Sequence, residues 1–457
     1  MILRQFILDD LASAAYLVGD QATGMAALVD PHLDVEEYLR AANFYGVSIE
    51  HVLETHSHAD RVSGHGRLAE LGATIHIHRE AQVSYPHEPF DDGWTLQLGD
   101  VEIRAMHTPG HRPEHTAFVL TDRARGPEAW AVLTGDSLFV SDIARPDLAV
   151  EAESGARDLH KSLHQGLLQL PPETEVWPGH IGGSLCGGPG MDLKASTTVG
   201  YELAHNPLLA IGDVDQFVEL TTTDLPPQPA NFTRIVGINS GEFVDFPTSF
   251  PGLPAADFAS RRAAGALVVD CRSSAEFDER HIPGAISIPS VGGGFANRLA
   301  WLARPDEAIV IVGRREQDAL AACRLVGSVG IDSVVGYLAG GYEVWPAAGE
   351  PEAATPRLPA SKLAERLSAD PDLVALDVRE RAEWAAGVLD ETRMIPYHEL
   401  RDADLSRLEG ATVAVVCASG QRAGIAASVL RARGIDDVIH VTEGGVSDVL
   451  AAPTATG

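Results

Sequence analysis

The sequence predicts an α/β multidomain protein: one larger domain of mixed strands and helices, followed by two copies of a smaller α/β domain with a parallel sheet. Three observations carry this expectation. A chain of 457 residues has room for two to four domains of ordinary size. Thirteen of its 18 histidines lie between His51 and His180, which sets the N-terminal part apart as a candidate metal domain. Further on, paired segments recur at an offset near 105 residues, the mark of an internal duplication.

The N-terminal part alternates short apolar runs with helical patterns. AALVD (26–30), HVLETH (51–56), TIHIH (74–78), VEIRAMHT (101–108), TAFVLT (116–121), AWAVLTGD (129–136) and EVWPGH (175–180) read as strands, several ending directly in His, Asp or Gly. Loops at strand ends are where a rigid scaffold presents functional groups. DLPPQPANFTRI (224–235) reads as a linker or an extended excursion, and FPTSFPGLPAADF (246–258) opens a different region. There ALVVDCRSSAEF (266–277) aligns with LVALDVRERAEW (373–384), AIVIVGRREQDA (308–319) with TVAVVCASGQRA (412–423), and LAGGYEVW (338–345) with VTEGGVSDV (441–449). The expected domains are residues 1–245, 252–350 and 358–457.

Composition excludes several function classes. The 45% hydrophobic content suffices for packed cores, and no run of about 18 apolar residues offers a transmembrane helix. The N-terminus reaches Asp9 and Asp10 before a long apolar stretch develops, so no secretion signal is expected and the expected location is the cytoplasm. A net charge of −31 argues against nucleic acid and anionic membrane as partners. The four cysteines, Cys186, Cys271, Cys323 and Cys417, form no CxxC pair, so neither a disulfide framework nor a cysteine zinc site is expected.

Two constellations carry chemistry. The first is His56-Ser57-His58-Ala59-Asp60-Arg61 at a strand end, with His111 in TPGHRPEH, Asp136 in LTGD and His180 in WPGH. Neutral imidazoles and carboxylates converging from separate strand ends are what a divalent transition metal takes. The second is Cys417-Ala418-Ser419-Gly420-Gln421-Arg422, between an apolar strand and a helical pattern. A thiolate there sits among loop N–H groups at a helix N-terminus, a setting that lowers thiol pKa and stabilises an anionic sulfur. Arg422 is placed to close the loop and attract an anion. The first copy has Gly313-Arg314-Arg315-Glu316-Gln317-Asp318 in the equivalent place, without a cysteine. Cys271 and Cys323 fall elsewhere, in a strand end and a helix, and are expected to be structural.

The series HxHxD, TPGH, TGD and PGH resembles the metallo-β-lactamase superfamily, whose fold is an αββα sandwich. Arg61 stands where that family's dinuclear hydrolases carry a further histidine, and a guanidinium has no lone pair to give a metal. THSHADRVSGH, TPGHRPEHTAFVL, TGDSLFVSDIARPDL and WPGHIGGSLCGG, over residues 1–210, look like the mononuclear iron persulfide dioxygenases. The DxR after each first strand, HIPGA (281–285) and the late GG pairs resemble rhodanese domains. The whole order resembles the persulfide dioxygenase–sulfurtransferase fusions.

This resemblance implies one Fe(II) per chain on His56, His111 and Asp136, with His58, Asp60 and His180 as supporting groups around it. It places Arg145 and Asp147 beside the substrate, where the alternative is a structural ion pair. It also puts Cys186 near the metal mouth, where the alternative is an incidental cysteine in a Gly-rich loop. Cys417 and Arg422 become the sulfurtransferase residues, taking sulfur as a persulfide with sulfite or thiosulfate as the anion, and the first copy, lacking the cysteine, is expected to be inactive in sulfur transfer. The implied partners are a low-molecular-weight thiol persulfide, O2, and sulfite or thiosulfate, in a homo-oligomer. The rival expectation is a zinc-dependent thioesterase of the hydroxyacylglutathione hydrolase type.

Overall fold

A computed structural model describes the chain apart from Pro189, Asp224, Pro226, Glu391 and residues 452–457. Part of the 224–235 stretch, and the end of the domain expected over 358–457, therefore lie outside the described residues. Contacts divide the chain into two compact units, Met1–Phe246 with Ser328–Gly330, and Pro247–Gly327 with Ile331–Gly457.

The first unit has two six-stranded sheets. One runs in chain order through β1 (Ile2–Leu8), β2 (Ser13–Asp20), β3 (Met25–Val29), β4 (Ser48–Leu53), β5 (Thr74–His78) and β6 (Glu88–Phe90). The other contains β7 (Thr95–Leu98), β8 (Val101–His107), β9 (Thr116–Asp122), β10 (Ala131–Gly135), β11 (Glu175–Pro178) and β12 (Thr197–Thr198), in the order β12-β11-β10-β9-β8-β7.

Alternation along each strand builds the layers, because successive side chains point to opposite faces. Ala14, Tyr16 and Val18 of β2 join Ile103 and Ala105 of β8 and Phe118 and Leu120 of β9 in a core between the sheets. Ala15 and Leu17 of β2 instead pack with Tyr38, Ala42 and Leu68 of helices Glu36–Tyr45 and His65–Glu70. Val119, Val132 and Val176 pack with Ala156, Leu159 and Leu163 of helix Ala152–Gln165 on the far side. The result is the expected αββα sandwich. All seven strands read from the sequence are present. Residues 231–235 differ from the linker reading: after the prolines the chain turns helical over Asn231–Ser240 and buries Phe232 and Ile235, three residues apart on one helical face.

The second unit holds two five-stranded parallel sheets with the same strand order. The first is β13 (Gly252–Leu253), β14 (Leu267–Asp270), β15 (Ile286–Ser287), β16 (Ile309–Val312) and β17 (Val334–Leu338), ordered β13-β17-β16-β14-β15. The second is β18 (Arg357–Pro359), β19 (Leu373–Asp377), β20 (Arg393–Met394), β21 (Thr412–Val416) and β22 (Val438–Thr442), ordered β18-β22-β21-β19-β20. Central strands are apolar along IVIV in the first copy and VAVV, after Thr412, in the second, because helices cover both faces of a parallel sheet.

The DxR motif has a structural role in both copies. Arg272 donates to both oxygens of Asp270 and to the Arg280 carbonyl, while Arg379 donates to both oxygens of Asp377 and to the Gly387 carbonyl. The Asp377 side chain is fully buried, and a buried charge left alone is costly. Asp377→Ala is therefore expected to destabilise the chain by about 3–5 kcal/mol. The check is the denaturant midpoint of the full chain, and an unmoved midpoint excludes this role for the pair.

Candidate metal centre and cysteine loop

The N-terminal site begins with Asp30 at the end of β3, held at a φ of 52°. Its Oδ1 accepts the Thr55 N–H at 2.8 Å and its Oδ2 accepts the Thr55 hydroxyl at 2.8 Å. With its proton given to Asp30, the Thr55 oxygen accepts from His56 Nδ1 at 2.9 Å. The proton of His56 is thereby placed on Nδ1, and Nε2 presents its lone pair to the site. His111 reaches the same state by another route, its Nδ1 donating to the Arg145 carbonyl at 3.0 Å. His180 does so with Nδ1 on the Ala12 carbonyl at 3.2 Å.

These three Nε2 atoms converge on Asp136. Its Oδ2 lies 3.9 Å from His56, 3.5 Å from His111 and 3.3 Å from His180. All three Nε2 atoms and both Asp136 oxygens are buried without a hydrogen-bond partner. Buried polar groups are otherwise almost always paired, so such a cluster fits a metal ion. His56, His111 and Asp136 form one group whose donor atoms lie within 4.8 Å of one another, and Asp60, His180 and Cys186 form another.

The electrostatics agree. Burial keeps His56 well below its ordinary pKa, with the neighbouring His58 adding to the effect, so its imidazole is neutral and ready to donate a lone pair. Burial alone raises the Asp136 carboxyl, yet His180, His56 and His111 outweigh it and hold Asp136 well below the usual carboxylate range.

Position depends on residues that the motif reading passed over. His115 Nε2 accepts the Asp136 backbone N–H at 2.9 Å, while its Nδ1 faces the Thr108 carbonyl at 3.1 Å. Burial holds His115 down to about 3, so it stays a neutral acceptor. Gly135 of the TGD motif has φ +50°, and a Cβ there meets His115 Nε2 at 2.7 Å and Thr55 Cβ at 2.9 Å. Only glycine fits that close approach. His115 was visible in TPGHRPEH, but nothing in its spacing distinguishes a ligand from a group that holds one.

His58 stands outside the group of His56, His111 and Asp136. Its Nε2 lies 3.2 Å from Asp30 Oδ1 and 3.5 Å from Glu54 Oε2. Burial and Arg61 lower its pKa, but the two carboxylates outweigh them and raise it to about 9. Arg61 is buried and donates to the carbonyls of Pro31 and Asp30, so the residue replacing a metal-binding histidine braces the β3 end. Asp60 Oδ2 is 3.4 Å from His180 Nε2. Arg145 grips Asp147 through Nε at 2.6 Å and Nη2 at 2.8 Å, a bidentate pair that also receives Gln228 on Asp147. Cys186 is buried, and burial with the charges of Asp60 and Asp136 pushes its thiol well up. A third histidine group, His78 with Glu80 and His107, is less suited to a metal. The two imidazoles stack at 4.0 Å with planes 11° apart, so their in-plane lone pairs run parallel rather than towards one point.

In the second unit Cys417 follows β21, and helix Gln421–Ala432 follows the loop. Gly420, at φ +93°, turns its N–H onto Cys417 Sγ at 3.1 Å. Arg422 makes a two-pronged pair with Glu383, one contact at 2.8 Å, and the Glu383 and Cys417 charges raise its pKa against burial. The loop arginine thus has a carboxylate partner already in place. In the first copy Asp318 Oδ2 accepts the Arg315 N–H at 3.1 Å, and its carboxylate also binds the Arg315 guanidinium. Asp318 stands where the second copy has Arg422, and it pairs within the first copy's own loop. Burial pushes Cys271 and Cys323 up to about 12, so both remain thiols at neutral pH.

Comparison with known proteins follows these boundaries. The metallo-β-lactamase superfamily matches residues 8–180, and the rhodanese-like domain matches residues 254–348 and 360–452. The chain is similar to a crystal structure of a metallo-β-lactamase from Staphylococcus aureus subsp. aureus COL, with 30% identity and a TM-score of 0.67 over 74% of this chain and 98% of that one. It is 34% identical over 169 residues to the cytoplasmic hydroxyacylglutathione hydrolase of Arabidopsis thaliana, covering 36% of this chain and 62% of that protein. It is 28% identical over 246 residues to the mitochondrial persulfide dioxygenase ETHE1 of Bos taurus, covering 52% of this chain and 87% of that protein.

Thr55 carries the bond that orients His56, and such outer partners are typically worth about 10–100-fold in metal affinity. Thr55→Val is expected to lower affinity for a divalent metal within that range. Competition with a chelator of known affinity measures it, and an unchanged value removes Thr55 from the assembly of the site.

Proposed function

Since the chain belongs to the metallo-β-lactamase superfamily and carries two rhodanese-like domains, we propose that it is an iron-dependent persulfide dioxygenase joined to a sulfurtransferase. The observation that carries this reading is the convergence of His56, His111 and Asp136 through buried, unpartnered atoms. Two neutral imidazoles and a carboxylate are the donor set that would hold a single Fe(II). A ferrous ion held there supplies the redox chemistry by which O2 reacts with a thiol-bound sulfur. The ETHE1 relatives point to the same substrate class, a small-molecule persulfide. The four free cysteines suit a reducing compartment such as the cytoplasm.

The chain's own residues then do three things. Thr55, the Arg145 carbonyl and His115 hold the donor set in place before substrate arrives. Arg145, paired to Asp147, stands one residue series away from His111 through its own backbone carbonyl, and so couples the 145–147 segment to the centre. His180, between Asp60 and Asp136, is placed to hold or move a proton as the products form. In the balanced reaction one persulfide RSSH, one O2 and one water give RSH, sulfite and two protons. The outer sulfur is oxidised, O2 is reduced, and the S–S bond breaks.

Cys417 supplies the second activity. Its thiolate attacks the outer sulfur of another RSSH, forms a new S–S bond and releases RS⁻. Sulfite then attacks the outer sulfur of the Cys417 persulfide, giving thiosulfate and restoring the thiolate. The Gly420 N–H stabilises the anionic sulfur in both states. The same steps in reverse load Cys417 from thiosulfate. Joining both activities in one chain raises the effective concentration of shared sulfite.

One observation favours a second reading. The Asp60, His180 and Cys186 group beside the first can hold a second ion, and the Arabidopsis relative is a hydrolase. A two-zinc thioesterase follows from that reading, against which stands the Arg61 guanidinium buried near His58.

Oxygen consumption by the iron-loaded full chain with glutathione persulfide decides between them. His111→Ala is expected to abolish uptake. Cys417→Ser is expected to keep uptake while the product shifts from thiosulfate to sulfite. No uptake with several persulfides, together with two zincs per chain and thioester hydrolysis, establishes the hydrolase instead.

A further inference from the structure

The cysteine-less copy reaches the sulfur-transfer loop through one buried side chain. His440 lies on β22 of the second copy and is almost wholly buried. Its Nε2 faces the Gly420 carbonyl at 2.8 Å, and its Nδ1 faces Oδ2 of Asp278 at 2.8 Å. Asp278 belongs to the first copy, on helix Ser274–Glu279, and is itself 4% exposed. Gly420 is the residue whose N–H points at Cys417 Sγ. Its carbonyl also accepts the Gly424 N–H at 3.0 Å, so both lone pairs of that oxygen are engaged. Gly424 has no room for a side chain, since a Cβ there lies 2.9 Å from His440 Cε1 and 3.3 Å from Ser274 Oγ.

We propose that Asp278 of the cysteine-less copy is a positioning residue for Cys417, acting through His440 and the Gly420 carbonyl. At φ +93° Gly420 occupies a conformation with few neighbouring alternatives for an ordinary residue but several for glycine. The carbonyl bond selects one of them, and that selection aims the N–H at the sulfur. Asp278 anchors the far side of the ring, and the exposed guanidinium of Arg357 lies 3.4 Å from the same carboxylate. Without Asp278 the ring loses its second bond and turns, the Gly420 carbonyl is released, and the sulfur loses its donor. The first copy, having no cysteine of its own, thereby completes the site of the second.

This inference rests on Cys417 being the sulfur carrier, and the experiment separates the two. In the full chain, sulfur transfer from thiosulfate and the pH profile of Cys417 alkylation are measured together, with Cys186, Cys271 and Cys323 blocked or mapped by mass spectrometry. Asp278→Ala is expected to lower kcat about tenfold with KM within about twofold, as for a group that acts on the reacting sulfur rather than on binding. It is also expected to raise the alkylation midpoint by about half a pH unit or more, because the thiolate has lost a donor. Asp278→Asn keeps an oxygen acceptor for His440 Nδ1 and is expected to stay within about twofold of the parent chain. Asp402→Asn removes an exposed ion pair with Arg304 between the same two copies and is expected to change neither readout. Should Asp278→Ala not fold, His440→Gln carries the test with the same expected split.

Parent-like kcat and alkylation in Asp278→Ala overturn the proposal, as does equal loss in Asp402→Asn, which marks general loosening between the copies. A parent Cys417 that alkylates but never accepts sulfur defeats the sulfur-transfer reading alone, and the alkylation profiles still decide the role of Asp278.

Discussion

The metal centre depends on where three protons sit. His56, His111 and His180 each spend the Nδ1 proton on an acceptor outside the centre, and only that leaves three Nε2 lone pairs facing Asp136. The acceptors are a threonine hydroxyl and two backbone carbonyls. The threonine is in turn committed to Asp30, so the first link of the arrangement is a buried carboxylate at the end of β3. Acceptors such as these do for an imidazole what a carboxylate does in a metal-bound histidine: they settle the tautomer and the ring plane together. The two sheets matter because they bring these acceptors, from Ala12 to Arg145, around one point.

Charge is balanced locally in the same region. Asp30 and Glu54 face His58, Arg61 crosses to the Asp30 and Pro31 carbonyls, and Asp136 is flanked by imidazoles. Several of the buried acids thus sit where a cationic group meets them. In the second unit the same principle recurs twice, in the Asp270–Arg272 and Asp377–Arg379 pairs that close β14 and β19. The copies share that scaffold and differ at the loop. Where Gly420 donates to a thiol in the second copy, the first copy has no cysteine, and Arg315 at the start of its helix pairs with Asp318.

Much of this was legible in the sequence because it is local. A strand followed by His, Asp or Gly is visible in a dozen residues, and so is a cysteine between TVAVV and a helical pattern. The duplication was legible because two copies repeat the same pattern. The stretch 224–235 misled because its prolines dominate the composition, while Phe232 and Ile235 reveal a helix only once there is a surface to bury them against. Strands β1 and β2 went unread because a run such as SAAYLVGD, buried on both faces, has no polar alternation to mark it.

By itself the sequence determined which side chains are of metal-ligating type at strand ends and that Cys417 follows an apolar strand, since those are properties of residue type and of short spacing. The tertiary structure alone decided which nitrogen of each histidine is free, that Arg61 braces a backbone instead of facing a metal, that Arg422 has Glu383 as a partner, and that Asp278 reaches Gly420 through His440. Each of these is a hydrogen bond between residues far apart in the chain. Its geometry is set by how sheets and loops pack, and no local pattern encodes it.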